Sequence, residues 1–448
     1  MNSATPAAPV AVIGAGWAGL TAALVLARAG KPVHLIEAGS VPGGRARSLT
    51  LGGATLDNGQ HVLIGACNNS LDLIRSVGVD PGRAFHALPF GLRMFAPATP
   101  YPVPTFSLEP RSPRLPALAL ALYRAQPATR AGSRLRAIRG AARMLHRSLA
   151  TDQPVLEWLH VHRQPPGLIQ RLWEPLCLAV MNTPARAASA CLFQNVLRRA
   201  LNHGPEAARL LLPARPLGAL FPEPALSELH DRNAHIELGR RITRIERDPG
   251  DRTRPYCLHD RAGGTSRAGG IIVATSPGAA QALLPAAPEW ETSSRGLQAL
   301  RARSICTVYL RYARRLDALP PLSGLLDQHG QWLIPRHLSG APHWLAVVIS
   351  AADDLEPMTA ATRWRHVAST LARTFPLPVD PVAGHTICEH RATLDAHPDI
   401  DARRPSARTP WPRIYLAGDY LTHGLPSTLE AAVQSGLESA HKYLEDQP

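Results

Sequence analysis

The residues of this 448-residue chain that are best suited to chemistry begin with a glycine-rich turn near the N-terminus. Gly14, Gly16 and Gly19 have the spacing G-x-G-x-x-G, directly after a short apolar run and at the start of an alanine-rich one. In a strand-turn-helix unit, the first glycine permits a tight turn, the second lets the backbone approach a pyrophosphate, and the third lets the helix pack on the strand. The N-terminus of that helix attracts phosphates through free N–H groups and its positive dipole end. The spacing therefore predicts a dinucleotide site.

The next strand-like run ends in an acid that suits the ribose of such a ligand. Glu37 follows Gly19 by 18 residues. A carboxylate at this distance accepts hydrogen bonds from two free ribose hydroxyls and repels a 2′-phosphate. NADP is therefore disfavoured.

A second close approach to phosphate is predicted just beyond this acid. Gly43 and Gly44 leave the backbone uncovered, and Arg45 can neutralise phosphate charge with a bidentate contact. The whole string resembles the extended FAD signature of the family that contains flavin amine oxidases and phytoene-type desaturases. The resemblance implies that the cofactor is FAD.

The same resemblance assigns roles to three later segments. A glycine-aspartate pair near the C-terminus of that family lies along the pyrophosphate and ribityl chain, and it matches Gly418 and Asp419. The strand around Ile242 matches the segment whose backbone contacts the adenine edge. A last helix beginning near Ser427 and Thr428 would direct its N-terminus at the isoalloxazine and stabilise the anionic reduced flavin.

Two stretches narrow the resemblance to one branch of the family. Residues 57–63, Asp-Asn-Gly-Gln-His-Val-Leu, and residues 172–184, which begin Leu-Trp-Glu-Pro, look like segments of bacterial hydroxysqualene dehydroxylases, flavoproteins of hopanoid-type squalene synthesis. That resemblance implies a polyprenoid substrate whose allylic hydroxyl leaves as water after protonation, with hydride then supplied by reduced flavin. Such a site needs an acid near the flavin and an apolar channel that excludes water.

Three residues are candidates for that acid. Asp57 and His61 belong to the loop that the resemblance places under the flavin, and Glu174 stands beside Trp173 in an apolar helix that would raise its pKa. Each also suits a structural role. Asp57 can cap a turn, His61 can hydrogen-bond the flavin or backbone, and Glu174 can pair with an arginine at a helix end.

The scarcity of lysine bears on the alternatives. The chain has only Lys31 and Lys442, neither near the expected flavin. Many amine and polyamine oxidases of the superfamily use a lysine that holds a water at the flavin N5 atom. Amine oxidation is therefore disfavoured.

Composition limits the partners and the compartment. The six cysteines are scattered without a CxxC pair and do not cluster with histidine, so we expect reduced thiols, no disulfide framework and no metal site. The N-terminal sequence lacks a charged start and an apolar signal core, and no apolar run is long enough to span a bilayer. We expect a cytoplasmic protein, peripheral on the inner membrane face.

The net charge of +14 raises nucleic acid or an anionic membrane as partners. Residues 110–151 hold nine arginines and no acid. Within this segment we predict a helix that has an apolar face and a flank of arginines. Together with the apolar run 115–123, this helix favours docking on anionic lipid. Nucleic-acid binding is disfavoured because Tyr123 is the one aromatic residue of the segment. The predicted apolar face comprises Leu135, Ile138, Ala142, Leu145 and Leu149, and the flank comprises Arg136, Arg139, Arg143 and Arg147.

The predicted fold class is α/β, with a Rossmann-like FAD-binding domain, an interleaved mixed α+β substrate domain and a helical membrane-facing region. The FAD-binding domain is assigned to residues 1–90, 225–290 and 390–448, and the substrate domain to 91–224 and 291–389. The leading hypothesis is reductive dehydroxylation of hydroxysqualene to squalene. A carotenoid-type desaturase and a flavin-fold lipid-binding protein without this activity remain open. The electron donor to the flavin is left undetermined, with a separate reductase or a quinol as candidates.

Overall fold

A computed structural model describes residues 8–446 except 98, 100, 113, 127–129, 286, 327–331 and 356, so the prediction made on the N-terminal residues 1–7 lies outside the described chain. In chain order the strands are β1 Val10–Ile13, β2 Val33–Glu37, β3 Ser48–Leu51, β4 Ala54–Asp57, β5 Leu63–Ile64, β6 Phe85–Leu88, β7 Leu92–Phe95, β8 Phe106–Leu108, β9 Leu210–Pro213, β10 His235–Leu238, β11 Ile242–Arg247, β12 Tyr256–Asp260, β13 Thr265–Ala268, β14 Gly270–Val273, β15 Ala302–Arg311, β16 Ser323–Leu325, β17 Trp332–Pro335, β18 Trp344–Ser350, β19 Ala383–Leu394 and β20 Ile414–Leu416.

The helices are α1 Trp17–Arg28, α2 Asn68–Ser76, α3 Pro81–Ala84, α4 Leu115–Arg124, α5 Ala131–His146, α6 Val155–Val161, α7 Pro166–Leu168, α8 Glu174–Met181, α9 Ala190–Asn202, α10 Pro222–Asp231, α11 Pro277–Leu283, α12 Glu291–Ala299, α13 Ala360–Thr374, α14 Ile400–Arg403 and α15 Leu429–Glu445. Within the described residues, none of these helices is long and apolar enough to cross a bilayer.

One sheet has five strands in the order β10-β2-β1-β14-β20, and every neighbouring pair is parallel. All four residues of β1 and of β14 are buried, as expected for strands covered on both faces by helices. Helix α15 packs directly on α1, and a Cβ at Gly436 would lie 2.3 Å from the Ala18 carbonyl oxygen. The predicted Rossmann-like α/β fold is confirmed.

A second sheet has seven strands in the order β19-β15-β18-β17-β16-β7-β8. Its longest members, β15 and β19, pair antiparallel and place Ile305 opposite Glu389 and Thr307 opposite Ile387. One face of this sheet packs with α13 on an apolar core. The strands of the parallel sheet fall within the predicted FAD-binding segments, whereas the division of the chain into domains stays a prediction.

The apolar face predicted for the basic helix is correct only in part. Leu145 is buried, and Ile138 and Leu149 pack against the same apolar cluster, but Leu135 is 49% exposed and helix α5 ends at His146, before Leu149. Small residues also face inward because the end of α6 approaches closely: a Cβ at Gly140 would lie 2.0 Å from the carbonyl oxygen of His162. The inward-facing residues are Ala137, Gly140, Ala141, Met144 and Leu145.

The expectation that all six cysteines are reduced is also wrong. Cys306 on β15 and Cys388 on β19 stand directly opposite each other and form a disulfide. The pairing arises because the strand register brings together two residues that are 82 positions apart in the chain. The other four cysteines are free.

Candidate functional site

A cavity of about 1470 Å³ begins at the carboxyl edge of the parallel sheet and continues to the seven-stranded sheet. Ligands of open α/β sheets bind at that edge. Pockets for one small ligand are typically about 300–1,000 Å³, so this cavity has room for a cofactor and a second molecule. Of the predicted cofactor residues, it is lined by Gly14, Gly16, Glu37, Gly43, Gly44, Arg45, Ile242, Gly418, Asp419, Ser427 and Thr428.

The glycine turn has the geometry that its spacing predicts. Gly14 has a φ of +108°, and a Cβ there would lie 2.5 Å from the carbonyl oxygen of Ala274. A Cβ at Gly19, which does not line the cavity, would lie 1.9 Å from the Gly14 carbonyl oxygen. Gly16 is different, because a Cβ there would meet only Gly44 at 3.9 Å. Gly14 and Gly19 are needed for packing, and Gly16 keeps the groove open for a phosphate chain.

Glu37 ties this turn to the end of β2. Its carboxylate accepts hydrogen bonds from the N–H groups of Ala15 at 2.7 Å and Gly39 at 2.6 Å. Both contacts fix the carboxylate in the cavity wall, where its remaining lone pairs suit the hydroxyls of a ribose.

The second glycine pair closes the other side of the groove. Gly43 donates its N–H to the Ala15 carbonyl oxygen at 2.8 Å, and Gly43 and Gly44 both have positive φ. Arg45 then donates to Asp419 Oδ1 at 2.6 Å and to the carbonyl oxygen of Ala392 at 2.7 Å. The two signature segments, 374 residues apart, are therefore joined by an ion pair.

The far end of the cavity lies at the start of α15. This helix begins at Leu429, and the hydroxyl of Thr428 caps it by accepting from the N–H of Ala431 at 3.2 Å. Ser427 accepts a hydrogen bond from the N–H of Leu394 at 3.1 Å and thereby ties this end to β19. A positive helix end facing the cavity fits an anionic ring system.

His61 lines the cavity as expected for a residue under the flavin. The loop turns at Gly59, whose φ is +121° and whose absent Cβ would lie 3.9 Å from both His61 Nε2 and Thr307 Oγ1. Burial and the nearby positive charge of Arg45 lower the pKa of His61 to about 4. A neutral imidazole is a far weaker acid than an imidazolium, so the lowered pKa weakens His61 as the acid.

Asp57, the second candidate acid, does not line the cavity and has no exposed surface. Burial raises the pKa of Asp57, and the Arg336 guanidinium and two hydrogen-bond donors oppose that rise. Its oxygens accept from Ser48 Oγ at 3.0 Å and the N–H of Leu217 at 2.8 Å, and Arg336 Nη2 lies 3.5 Å away. The side chain anchors the loop from behind, and this position does not support the catalytic role predicted for Asp57.

Glu174, the third candidate, is also outside the cavity wall. It begins α8 directly after a wide helical turn at residues 169–173, where Pro175 cannot donate to the preceding turn. Trp173 beside it donates Nε1–H to Gln164 at 2.9 Å, in the core of the helical region. Its position does not support a catalytic role.

Two charged residues beside this loop were not predicted from the sequence. Arg336 donates to Gln60 and faces Asp57, so it connects the loop to the end of β17. Glu389 on β19 lines the cavity near Asn58, whose Nδ2 lies 3.4 Å from its Oε2. The only sequence signal for Glu389 is a single acid in a strand whose neighbouring inward residue, Ile387, is apolar.

Neither Lys31 nor Lys442 is among the residues that line the cavity. Among the described residues, no lysine is therefore placed to hold a water beside a flavin.

Outside the cavity, His34, His235 and Glu237 form a group that could hold a metal ion. The Glu237 carboxylate already accepts from His34 Nε2 at 2.6 Å and pairs with Arg240. The residues thus form a hydrogen-bonded ion-pair cluster at the β10 edge of the parallel sheet.

Comparison with known proteins agrees with this geometry. The profile of the family described as "Flavin containing amine oxidoreductase" matches residues 17–442. A hydroxysqualene dehydroxylase of Rhodopseudomonas palustris is 30% identical over 96% of this chain and 97% of its own length. A 15-cis-phytoene desaturase of an Oncidium hybrid is 24% identical over 99% of this chain and 79% of its own length.

Among solved structures, cyclohexylamine oxidase of Brevibacterium oxydans superposes with a TM-score of 0.68 and 20% identity, covering 98% of this chain and 99% of its own. This likeness shows a shared fold.

Proposed function

The chain belongs to the flavin-containing amine oxidoreductases and, within them, to the hydroxysqualene dehydroxylases, and from that membership we propose that it reduces hydroxysqualene to squalene. As a member of this family it is an FAD-dependent oxidoreductase. The specific reaction is our proposal, and a phytoene-type desaturation is its nearest rival because desaturases match the whole chain more distantly.

The residues present fit FAD. The open groove at Gly16, the carboxylate of Glu37 and the pair Arg45–Asp419 would hold the adenosine and pyrophosphate parts, and the N-terminus of α15 would face the ring system. When bound, reduced FAD supplies a hydride to an electrophilic carbon.

The observation that carries the proposal is the continuation of the cavity beyond these residues into an apolar space without lysine. A water-poor space suits a polyprenoid and protects an allylic cation from solvent. Its apolar wall includes Val62, Leu63, Ala66, Val180, Val196, Ile305, Val348 and Ile387.

The test is anaerobic incubation of chemically reduced enzyme with hydroxysqualene or phytoene in parallel. We expect flavin reoxidation together with squalene formation in the first sample, and no change in the second. Reoxidation without squalene, or no reoxidation, refutes dehydroxylation. Phytoene turnover by the oxidised enzyme would establish the desaturase instead.

We further propose that the helices α4 and α5 dock on anionic lipid at the inner membrane face, where a water-insoluble substrate resides. Leu120 and Leu135 are about half exposed, and the exposed side of α5 carries Arg136, Arg139 and Arg143. Apolar side chains beside a cationic surface favour an interfacial position.

Liposome flotation tests this docking. We expect binding to vesicles that contain phosphatidylglycerol and weaker binding after replacement of Arg139, Arg143 and Arg147 by serine. The matched control replaces three exposed arginines of the β11–β13 region, which removes the same charge elsewhere. Equal loss in both variants would mean that net charge alone drives binding and would overturn the assignment to α5. The control arginines are Arg247, Arg252 and Arg261.

A further inference from the structure

We propose that Glu389 is the catalytic carboxylate of the substrate cavity, which protonates the leaving hydroxyl and then faces the allylic cation. This inference rests on the proposed dehydroxylation and adds the residue that serves it.

The strand register places Glu389 at the boundary between the two parts of the cavity. It stands opposite Ile305 across the β15–β19 pair, and Ile387, two residues earlier, faces the same cavity. Successive inward positions of this strand thus pass from an apolar side chain to a carboxylate.

On its other side Glu389 reaches the loop predicted to lie under the flavin. Asn58 Nδ2 is 3.4 Å from Glu389 Oε2, and the same amide donates to the carbonyl oxygen of Arg45 at 3.0 Å. The pKa of Arg45 is raised, chiefly by Asp419 and in part by the negative charge of Glu389. The carboxylate is therefore close to the residues that would bind FAD and also borders the substrate space.

Glu389 differs from the other carboxylates in the cavity wall, which have firm partners. Glu37 holds two backbone N–H groups, and Asp419 is paired with Arg45. Glu430 accepts from the N–H groups of Asn69 and Ser70 at the start of α2 and from both of their side chains. Within the described part of the chain, Glu389 forms no ion pair within 4 Å, and its one hydrogen bond is the long contact to Asn58. It is the cavity carboxylate that remains available for a ligand.

The acids considered earlier are less suited. Asp57 is sealed behind the loop, Glu174 lies outside the cavity, and His61 with a pKa of about 4 is neutral near pH 7.

The carboxylic acid of Glu389 gives its proton to the hydroxyl oxygen, the C–O bond breaks, and water leaves with the bonding pair. The allylic cation is held beside the new carboxylate, where reduced FAD, when bound, would supply a hydride to it. One proton from solvent restores the acid. In sum, alcohol, hydride and proton give hydrocarbon and water while the flavin is oxidised.

The first experiment compares E389Q, E389D and E174Q with the wild type in anaerobic single-turnover reoxidation by hydroxysqualene. We expect E389Q to be slower by about 10²–10⁴-fold, the size of a general acid contribution, and E389D to recover part of the rate. E174Q removes a carboxylate outside the cavity and should retain the rate within about threefold. Equal FAD content and equal visible spectra show that the variants are folded.

The second experiment measures binding rather than turnover, with oxidised holoenzyme and an analogue in which a protonated tertiary amine replaces the hydroxyl-bearing carbon. We expect the wild type to bind this cation at least about tenfold more tightly than E389Q, and both to bind neutral squalene equally. If E389Q loses FAD, E389D and E389A take its place.

The two experiments separate the two proposals. A wild type that does not turn over hydroxysqualene refutes the proposed function, and the cation then still reports on Glu389. Equal cation affinity in wild type and E389Q overturns the assignment of Glu389, as does an unchanged turnover rate.

Discussion

Replacement of Arg336 by methionine should destabilise the protein strongly, because it leaves the charge of Asp57 buried without its cation. Asp57 has no exposed surface and Arg336 is 2% exposed. Their charged atoms are 3.5 Å apart. Methionine keeps much of the side-chain volume and removes the charge.

The magnitude follows from this geometry. Two unit charges at 3.5 Å attract by about 5 kcal/mol at an effective dielectric constant of roughly 20. Breaking a buried pair costs about 3–5 kcal/mol in measured cases. Ser48 and the N–H of Leu217 still donate to Asp57 in the variant, so we expect a loss near the lower end, about 3 kcal/mol in the free energy of unfolding.

The pH dependence of this loss has a definite sign. Burial already raises the pKa of Asp57 in the folded protein, and removal of Arg336 raises it further. An acid whose folded pKa lies above its unfolded value, about 3.9, contributes stability that is fully present below the unfolded value and is lost as pH rises through the folded pKa. The variant should therefore be closer to wild type at about pH 5 than at about pH 8.

The assay is urea unfolding at saturating FAD, followed by tryptophan fluorescence at both pH values. The double variant D57N/R336M serves as the control, because a neutral amide in place of the buried carboxylate should restore most of the stability. A loss below about 1 kcal/mol at pH 8, or an equal loss at both pH values, would refute the reasoning.

Three further predictions concern the cofactor groove, the loop and the disulfide. Replacement of Glu37 by alanine should weaken FAD binding about 10- to 100-fold, because hydrogen bonds to a charged group contribute about 1.5–3 kcal/mol. A fluorescence titration measures this affinity, and an unchanged value would show that Glu37 does not contact the ribose. With a pKa of about 4, His61 should be neutral above about pH 5. The variant H61Q should therefore keep the wild-type dependence of the flavin reoxidation rate on pH between about pH 5 and 8. A shift of that dependence along the pH axis would contradict this. When the denatured, unreduced protein is alkylated, mass spectrometry should find label on the four free cysteines, and six labels would rule the disulfide out. Because the disulfide joins residues 82 positions apart, the variant C306A/C388A should lose up to about 4–5 kcal/mol in the free energy of unfolding.

The dinucleotide half of the site could be predicted because its signals are local. The positions of Gly14, Gly16 and Gly19 fix a turn within a few residues, and the apolar runs before them and before Glu37 can only be buried strands. The confirmed parallel sheet follows from these segments.

The parts that could not be predicted depend on pairing between distant segments. Asp57 and Arg336 are 279 residues apart, and nothing near either one signals the other. The pairing of Cys306 with Cys388 requires the register of β15 on β19, which alternation alone does not determine. The rotation of α5 depends on the approach of the His162 carbonyl to Gly140, a contact between two helices.

The loop after β4 shows how neighbouring residues of one motif take different positions. Asp57 ends the strand buried and facing Arg336, whereas Gly59 has a positive φ and His61 lines the cavity. Asp57 has no exposed surface and does not line the cavity, so a ligand there does not reach it. The acid that we propose is instead a carboxylate that lines the cavity and has no firm partner. Glu389 satisfies this condition, and strand β19 of the seven-stranded sheet places its Oε2 atom 3.4 Å from Asn58 Nδ2 in the loop after β4. A variant that breaks the Arg336 anchor without touching Glu389 should accordingly slow the reaction through misplacement of the loop, while the preference for a cationic analogue persists.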